Sequence, residues 1–164
     1  MARRSHSATI RNHFFFTVAL AGIAVTSWSA GAAMYGDWFQ SKDDTECDLL
    51  TVPIHENDPA VIFRARVAAK AISVSVKGRR LQAGRLIIAV DKRQVIALDL
   101  VDPFGRDEPI APLPFELSEA MRDGYTIDVE WREEDRPPLK AQYSISQDGL
   151  EAWDACTKRL SEVK

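Results

Sequence analysis

The sequence contains very little histidine and cysteine, with 3 His and 2 Cys among 164 residues. Zinc sites are usually built from three or four such ligands, and a nucleophilic cysteine or serine needs a neighbouring base. His6 and His13 lie close to the N-terminus, and His55 lies in a polar segment rich in turn-forming residues. The sequence therefore predicts no metal site, no cofactor and no catalytic residues.

The sequence also lacks an excess of positive charge. Lys and Arg total 21 against 24 Asp and Glu, which gives a net charge of −3. Proteins that bind nucleic acid neutralise phosphates with clustered basic residues, so we expect no nucleic-acid partner. With 46% hydrophobic and 27% charged residues and no internal repeat, the chain has the composition of one ordinary globular domain.

The N-terminal segment has the pattern of a secretory signal. Arg3, Arg4 and Arg11 precede residues 14–36, which carry no charge, and small residues surround Ala32 and Ala33. This pattern predicts a signal peptide over residues 1–33, cleaved after Ala32 or Ala33, and one domain over residues 34–164 that is periplasmic or secreted and has no membrane contact. The alternative is an uncleaved anchor, since about 20 apolar residues span a bilayer.

Both cysteines, Cys47 and Cys156, lie in the exported part of the chain. Thiols are oxidised outside the cytoplasm, so an even number there first indicates a disulfide. An intermolecular bridge and a reactive thiol are the alternatives. A disulfide between these residues would connect the start of the domain to its last helix and would have a structural role.

Alternating apolar and polar residues predict several short strands. The pattern covers residues 61–67, 72–76, 125–131 and 139–145, and residues 86–90 and 95–101 form a hairpin candidate. Residues 117–123 predict a short helix that ends at Gly124 with a positive φ, and Asp148 is predicted to cap a C-terminal helix. Because long crossover helices are missing, we predict a mainly β fold: an antiparallel β-sandwich or barrel-like domain with these two helices.

A long irregular connection provides the best candidate for a partner surface. Five prolines and glycines interrupt residues 102–114, and connections of this length often carry function, although a plain crossover between two sheets is the alternative. Phe104 and Arg106 are the candidate contact residues there. Arg79 and Arg80 belong to a basic turn that is either a further part of this surface or a solvated hairpin rim.

Four motifs spread over nearly the whole exported chain occur together in one known family: Gly36-Asp37-Trp38 followed by Cys47, Leu81-Gln82-Ala83-Gly84, residues 114–131, and residues 143–153. They resemble the invasion-associated locus B family of bacterial envelope proteins. The resemblance implies an exported β-rich domain, associated in some pathogens with entry into host cells, and it transfers no catalytic motif. Family members often carry a further cysteine pair in the middle of the domain, which this chain lacks.

The function predicted from these features is that of a non-enzymatic exported interaction domain. Its expected partner is an envelope or host protein, and the sequence leaves the oligomeric state open. Two alternatives remain at this stage: a periplasmic lipid or glycan carrier, which needs an apolar cavity, and a hydrolase with an unrecognised carboxylate site, which needs two acids facing across a cleft.

Overall fold

The structure is a computed structural model, and it describes residues 32–67 and 69–162. The described residues form ten strands and two helices. The strands are β1 (Ala33–Tyr35), β2 (Trp38–Lys42), β3 (Glu46–Thr51), β4 (Ala60–Arg66), β5 (Ala69–Ser75), β6 (Gly84–Val90), β7 (Gln94–Leu100), β8 (Ile110–Pro112), β9 (Thr126–Arg132) and β10 (Leu139–Ser144). The helices are α1 (Phe115–Asp123) and α2 (Gln147–Glu162).

The predicted signal peptide, except for its last two residues, lies outside the described residues. Strand β1 begins at Ala33, where the prediction places the end of the signal. Cleavage after Ala32 would therefore keep β1 complete, whereas cleavage after Ala33 would remove its first residue. Among the described residues, no helix has the length and apolar character needed to cross a membrane.

The strands form two antiparallel sheets. Sheet I has the order β1-β2-β3-β4-β5-β8, and sheet II has the order β10-β9-β6-β7. The predicted mainly β fold with a short helix and a C-terminal helix is confirmed. In the described part of the chain the two sheets remain separate rather than closing into a barrel, so the sandwich is the architecture found.

Side chains fill the space between the sheets. Three tryptophans belong to the core: Trp38 and Trp131 are each 1% exposed, and Trp153 on α2 is 4% exposed. Inward residues alternate with outward residues along most strands, as in β9, where Ile127 and Val129 are buried. This period of two is the reason that the strand predictions from residue 60 onward succeed.

Although the two sheets do not close into a barrel, hydrogen bonds link them at both sides of the sandwich. On one side, Val101 and Ile110 exchange both backbone hydrogen bonds, at 3.2 and 2.8 Å, and thereby join the end of β7 to β8. On the other side, the Trp38 indole N–H donates to the Ser144 carbonyl, and the Ser144 backbone N–H donates to the Asp37 carboxylate at 2.9 Å. Both sides of the sandwich are thus fixed, one by backbone atoms and one by side chains.

The predicted disulfide is confirmed. Cys47 on β3 and Cys156 on α2 are bonded, with their Cα atoms 6.1 Å apart and a sequence separation of 109. The Trp153 indole N–H also donates to the Cys47 carbonyl at 3.2 Å. The last helix is therefore attached to sheet I by a covalent bond and by a buried hydrogen bond.

Both predicted helix ends need correction. Gly124, expected to have a positive φ, has φ of −94°, so the left-handed cap was wrong. Glycine is required there because a Cβ atom would lie 2.4 Å from Cγ1 of Val90. The capping role of Asp148 was also wrong, because α2 already includes Gln147, and it is the Ser146 Oγ that accepts from the Gly149 N–H at 3.2 Å.

The predicted hairpin is confirmed by the register of β6 and β7, in which Val90 faces Gln94. Asp91 and Lys92 in its turn have positive φ angles of 49° and 58°. Two segments differ from the prediction. Strands β1, β2 and β3 were not predicted, and the connection over residues 102–114 is not wholly irregular, because β8 pairs with β5 over Ala71–Ser73.

Tyr143 provides a test of the packing between the sheets. Its side chain is 1% exposed, its hydroxyl donates to the Pro59 carbonyl at 3.0 Å, and burial raises its pKa to about 12. An unfolded tyrosine ionises near pH 10, whereas the buried Tyr143 stays protonated up to about pH 12. Between these values ionisation stabilises only the unfolded chain, so the free energy of unfolding falls as the pH rises through this range.

We expect this ionisation to remove about 2 kcal/mol of stability by about pH 11.5. Urea unfolding of wild type and of Tyr143→Phe from about pH 8 upward measures the effect. The stability advantage of the wild type over the variant should shrink above about pH 10. A constant difference between the two proteins would contradict the burial of the hydroxyl.

Candidate functional site

The loop between β7 and β8, residues 102–109, begins and ends at a fixed point. Val101 before it and Ile110 after it form the antiparallel bridge between the sheets. The two ends of the loop are therefore held by the fold, and the residues between them project from the edge of sheet I.

The interior of this loop is organised by one carboxylate. Asp102 accepts hydrogen bonds from the backbone N–H groups of Phe104, Arg106 and Asp107, at 3.3, 3.1 and 2.9 Å. Gly105 and Asp107 have φ angles of 61° and 60°, which bend the backbone around this carboxylate. Desolvation raises the pKa of Asp102, but the backbone N–H donors outweigh it and lower the pKa overall. The Asp102 carboxylate therefore stays ionised, and keeps these hydrogen bonds, at a lower pH than an ordinary aspartate.

The loop forms one wall of a groove of about 200 Å³ on the outer face of sheet I. The groove floor consists of the small residues Ala69, Ala71 and Ser73 on β5, and Arg64 and Arg66 on β4 form the opposite wall. These residues alternate along their strands and therefore point to the same outer face. We call this space the loop groove.

Phe104 and Arg106, the two candidate contact residues, stand together on the loop side of the groove. Phe104 is 71% exposed, and the Arg106 guanidinium lies 5.5 Å from the centre of its ring. This arrangement is a cation–π contact at an exposed site. The Phe104 ring therefore points outward from the loop.

A cluster of ionic groups supports the groove. The guanidinium of Arg64 binds both carboxylate oxygens of Asp48 at 2.9 Å, and it lies 2.9 Å from Glu108 and 3.1 Å from Glu46. Glu108 belongs to the loop and also accepts from the Ser73 hydroxyl at 3.0 Å. One arginine therefore connects the loop to β3 and β4.

Three carboxylates share Arg64, and Arg66 also pairs with Glu46, so the cluster retains one negative charge in excess. Burial raises the pKa of the Asp48 carboxyl, the nearby Glu46 adds to this rise, and Arg64 offsets only part of it. In turn, the hydrogen bond to Asp48 raises the pKa of the Arg64 guanidinium. The proton stays on the arginine, and the cluster works as a set of ion pairs.

The other two candidate residues occupy different environments. Arg80 is exposed and lies 3.5 Å from the carboxylate of Asp107, which places it beside the loop. Arg79 instead binds Glu133 at 2.8 Å, a carboxylate that also accepts from the Trp131 indole N–H. The structure therefore brings Phe104, Arg106 and Arg80 together and places Arg79 in an ion pair beside the core.

The sequence reasoning missed Arg64, Arg66, Glu108 and the row of small residues on β5. The alternation of β4 indicates that Arg64 and Arg66 share its outer face. Nothing in the sequence indicates that residues 102–109 return across this face, because that placement depends on the pairing of β8 with β5.

The groove does not have the form of a familiar catalytic site. Of the two acids that line it, Glu108 binds Arg64 and Asp102 binds backbone N–H groups of its own loop. His55 is exposed in a separate segment, where its backbone N–H donates to the Asp58 carboxylate. Across residues 32–67 and 69–162, no group of His, Cys, Asp and Glu is arranged to hold a metal ion.

These features define a disulfide-linked β-sandwich domain with a small surface groove. No family model matches the sequence, and no curated protein matches it. Among solved structures, the chain is similar to the crystal structure of invasion associated protein B from Bartonella henselae, with a TM-score of 0.46 and 16% sequence identity over 79% of this chain and 94% of that chain. This neighbour bears the name of the family that the sequence motifs resemble.

Proposed function

We propose that this protein is an exported, non-enzymatic interaction domain of the bacterial envelope, periplasmic or secreted, that contacts a protein partner through the loop groove. The observation that carries the proposal is Phe104, a large aromatic side chain that is 71% exposed on a loop held in place by hydrogen bonds. Exposed aromatic residues next to arginine are the residue types that contribute most to protein interfaces.

The loop is organised before any partner binds. Asp102 fixes its backbone from within, and Glu108 attaches it to Arg64 and Ser73. Ordering a flexible segment on binding costs free energy, so a loop that is already ordered retains more of its contact energy as affinity. This organisation supports binding as the role of the loop.

Export is supported by the N-terminal sequence pattern and by the disulfide. The basic start, the uncharged segment and the small residues near Ala32 form the pattern of a signal peptide. The Cys47–Cys156 bond agrees with an oxidising compartment, where such bonds persist. An envelope or host protein remains the proposed partner class.

The two alternatives have less support. A lipid or glycan carrier would use an apolar cavity between the sheets, but large side chains such as Trp38, Trp131 and Tyr143 fill this space. A hydrolase would use two acids facing across a cleft, whereas Asp48 and Glu108 are both bound to Arg64.

Photo-crosslinking in the organism that makes the protein tests the proposal. Benzoylphenylalanine at position 104 should give a discrete crosslinked species, and the same group at position 125 should not. Tyr125 is a matched control because it is an aromatic residue, is 80% exposed and lies outside the loop. Mass spectrometry would then identify the crosslinked protein.

Variants make the same test quantitative. Phe104→Ala combined with Arg106→Ala should reduce retention of the crosslinked partner by at least about tenfold, the usual loss at an interface hot spot. Tyr125→Ala should leave retention unchanged. Equal crosslinking at positions 104 and 125, or full retention by the folded double variant, would place the partner surface elsewhere.

A further inference from the structure

The size of the loop groove limits what it can bind. Its volume of about 200 Å³ lies below the roughly 300–1,000 Å³ typical of small-molecule sites. Such a space suits a single large side chain of a bound segment. The floor is open because Ala69, Ala71 and Ser73 project only small groups from β5.

The apolar part of the groove favours an aromatic occupant. Ala69 and Ala71 offer methyl groups on the floor, Ile110 lies at the end of the loop, and Phe104 presents its ring on the wall. A flat ring placed on the two alanines would contact the Phe104 ring, and aromatic pairs add about 0.5–1.5 kcal/mol beyond the area they bury. Aromatic side chains are also the anchors that protein interfaces most often insert into pockets.

The charges around the groove favour one carboxylate beside that ring. Of the three arginines that line the groove, Arg64 binds three carboxylates and Arg66 binds Glu46. For Arg106, the described part of the chain supplies no carboxylate partner, and its guanidinium rests on the Phe104 ring. Arginine accepts a carboxylate in a planar, two-bond arrangement, which makes this guanidinium the anion contact of the groove.

The same surroundings disfavour a multiply charged anion. Glu108 and Asp102 also line the groove, and their negative charges would repel a phosphate dianion more strongly than a single carboxylate. A short protein segment provides a ring and a carboxylate within one or two residues of each other. A lipid headgroup or a phosphorylated residue would bring more negative charge.

We infer that the loop groove binds an exposed segment of a partner protein in which an aromatic residue adjoins an aspartate or glutamate. The ring rests on Ala69 and Ala71 against Phe104, and the carboxylate binds the Arg106 guanidinium. This inference rests on the proposed function, because it specifies the chemistry of the partner at the same surface.

Three capped tetrapeptides test the chemistry on the purified exported protein. The first is acetyl-Ser-Trp-Glu-Ser-amide. The second has Gln in place of Glu, and the third has Ser in place of Trp. Titration followed by amide chemical shifts should show changes at Ala69, Ala71 and Phe104 with the first peptide. The Gln analogue should bind at least about fivefold more weakly, and the analogue without Trp should give no measurable shifts.

Protein variants assign the two contacts. Arg106→Gln should weaken the Glu peptide at least about fivefold and remove its advantage over the Gln peptide, because both changes delete the same contact. Ala69→Leu should fill the floor and abolish binding of both peptides that contain Trp. Ala69 is exposed, so this variant should fold normally, and Tyr125→Ala should bind like the wild type.

Three results would overturn the inference. These are the absence of shifts in the groove at the highest peptide concentration, equal binding of the Glu and Gln peptides, and tighter binding of a phosphoserine analogue of the Glu peptide. The proposed function can fail separately. If the peptides do not bind but the double variant at positions 104 and 106 still loses its partner, the loop groove is the partner surface and the inferred ligand chemistry is wrong. If the peptides bind but the double variant retains its partner, the groove has the inferred chemistry and the partner binds at another surface.

Discussion

Replacement of Cys47 or Cys156 by serine should lower the free energy of unfolding by about 5 kcal/mol, since the two cysteines are separated by 109 positions in the sequence. In the chain-entropy model, the bond removes many conformations of the unfolded chain, and the reduction increases with loop length. The variants should remain folded but melt at a clearly lower temperature. Urea unfolding of the single and double variants measures the loss.

The double variant is the control for this prediction. Because each substitution breaks the same bond, the double variant should be about as stable as either single variant. Labelling of the unfolded native protein should find no free thiol, and non-reducing electrophoresis should show a monomer. A double variant whose loss equals the sum of both single losses would show that the cysteines act separately.

Replacement of Arg64 by methionine should cost about 3 to 4 kcal/mol at neutral pH. The substitution leaves the carboxylate of Asp48, which is 8% exposed, without its cation and close to Glu46 and Glu108. Removal of one partner from a largely buried ion pair leaves an uncompensated charge, which is strongly destabilising even on the outer face of a sheet. The loop should also lose its attachment through Glu108.

The pH dependence identifies the cause of this loss. In the variant, the pKa of the Asp48 carboxyl should rise further above its unfolded value, so the folded state binds a proton more readily and the loss shrinks as the pH falls. Arg66→Met is the matched control, because Arg66 is largely exposed and pairs with Glu46 at the surface, so its loss should stay below about 1 kcal/mol. An Arg64→Met loss that does not change with pH would argue for lost packing instead.

The sequence predicts the second half of the fold well because its strands alternate strictly. In β9 and in the β6–β7 hairpin, inward positions are apolar and the turn lies between two clear runs. Strands β2 and β3 were missed because polar residues occupy inward positions. Gln40 and Thr51 are both buried, and the Thr51 hydroxyl accepts from the Val61 backbone N–H at 2.9 Å.

The candidate site was predictable only in part. Phe104 and Arg106 stand out in the sequence because prolines and glycines surround them. Their neighbours across the groove, Arg64 and Ala71, come from strands about 30 to 40 residues earlier and meet the loop only through tertiary pairing. The local sequence pattern therefore does not indicate which residues meet the loop across the groove.

The position of the disulfide has a consequence for the order of events during biosynthesis. A chain is made from its N-terminus, so Cys47 emerges early, whereas Cys156 lies in the last helix and emerges late. Any chain that ends before residue 156 lacks Cys156 and the C-terminal part of α2, so the Cys47 thiol on β3 has no cysteine of its own chain to pair with. The Cys47–Cys156 bond can therefore form only after residue 156 has been made, and its presence marks a chain whose synthesis has passed that point in α2.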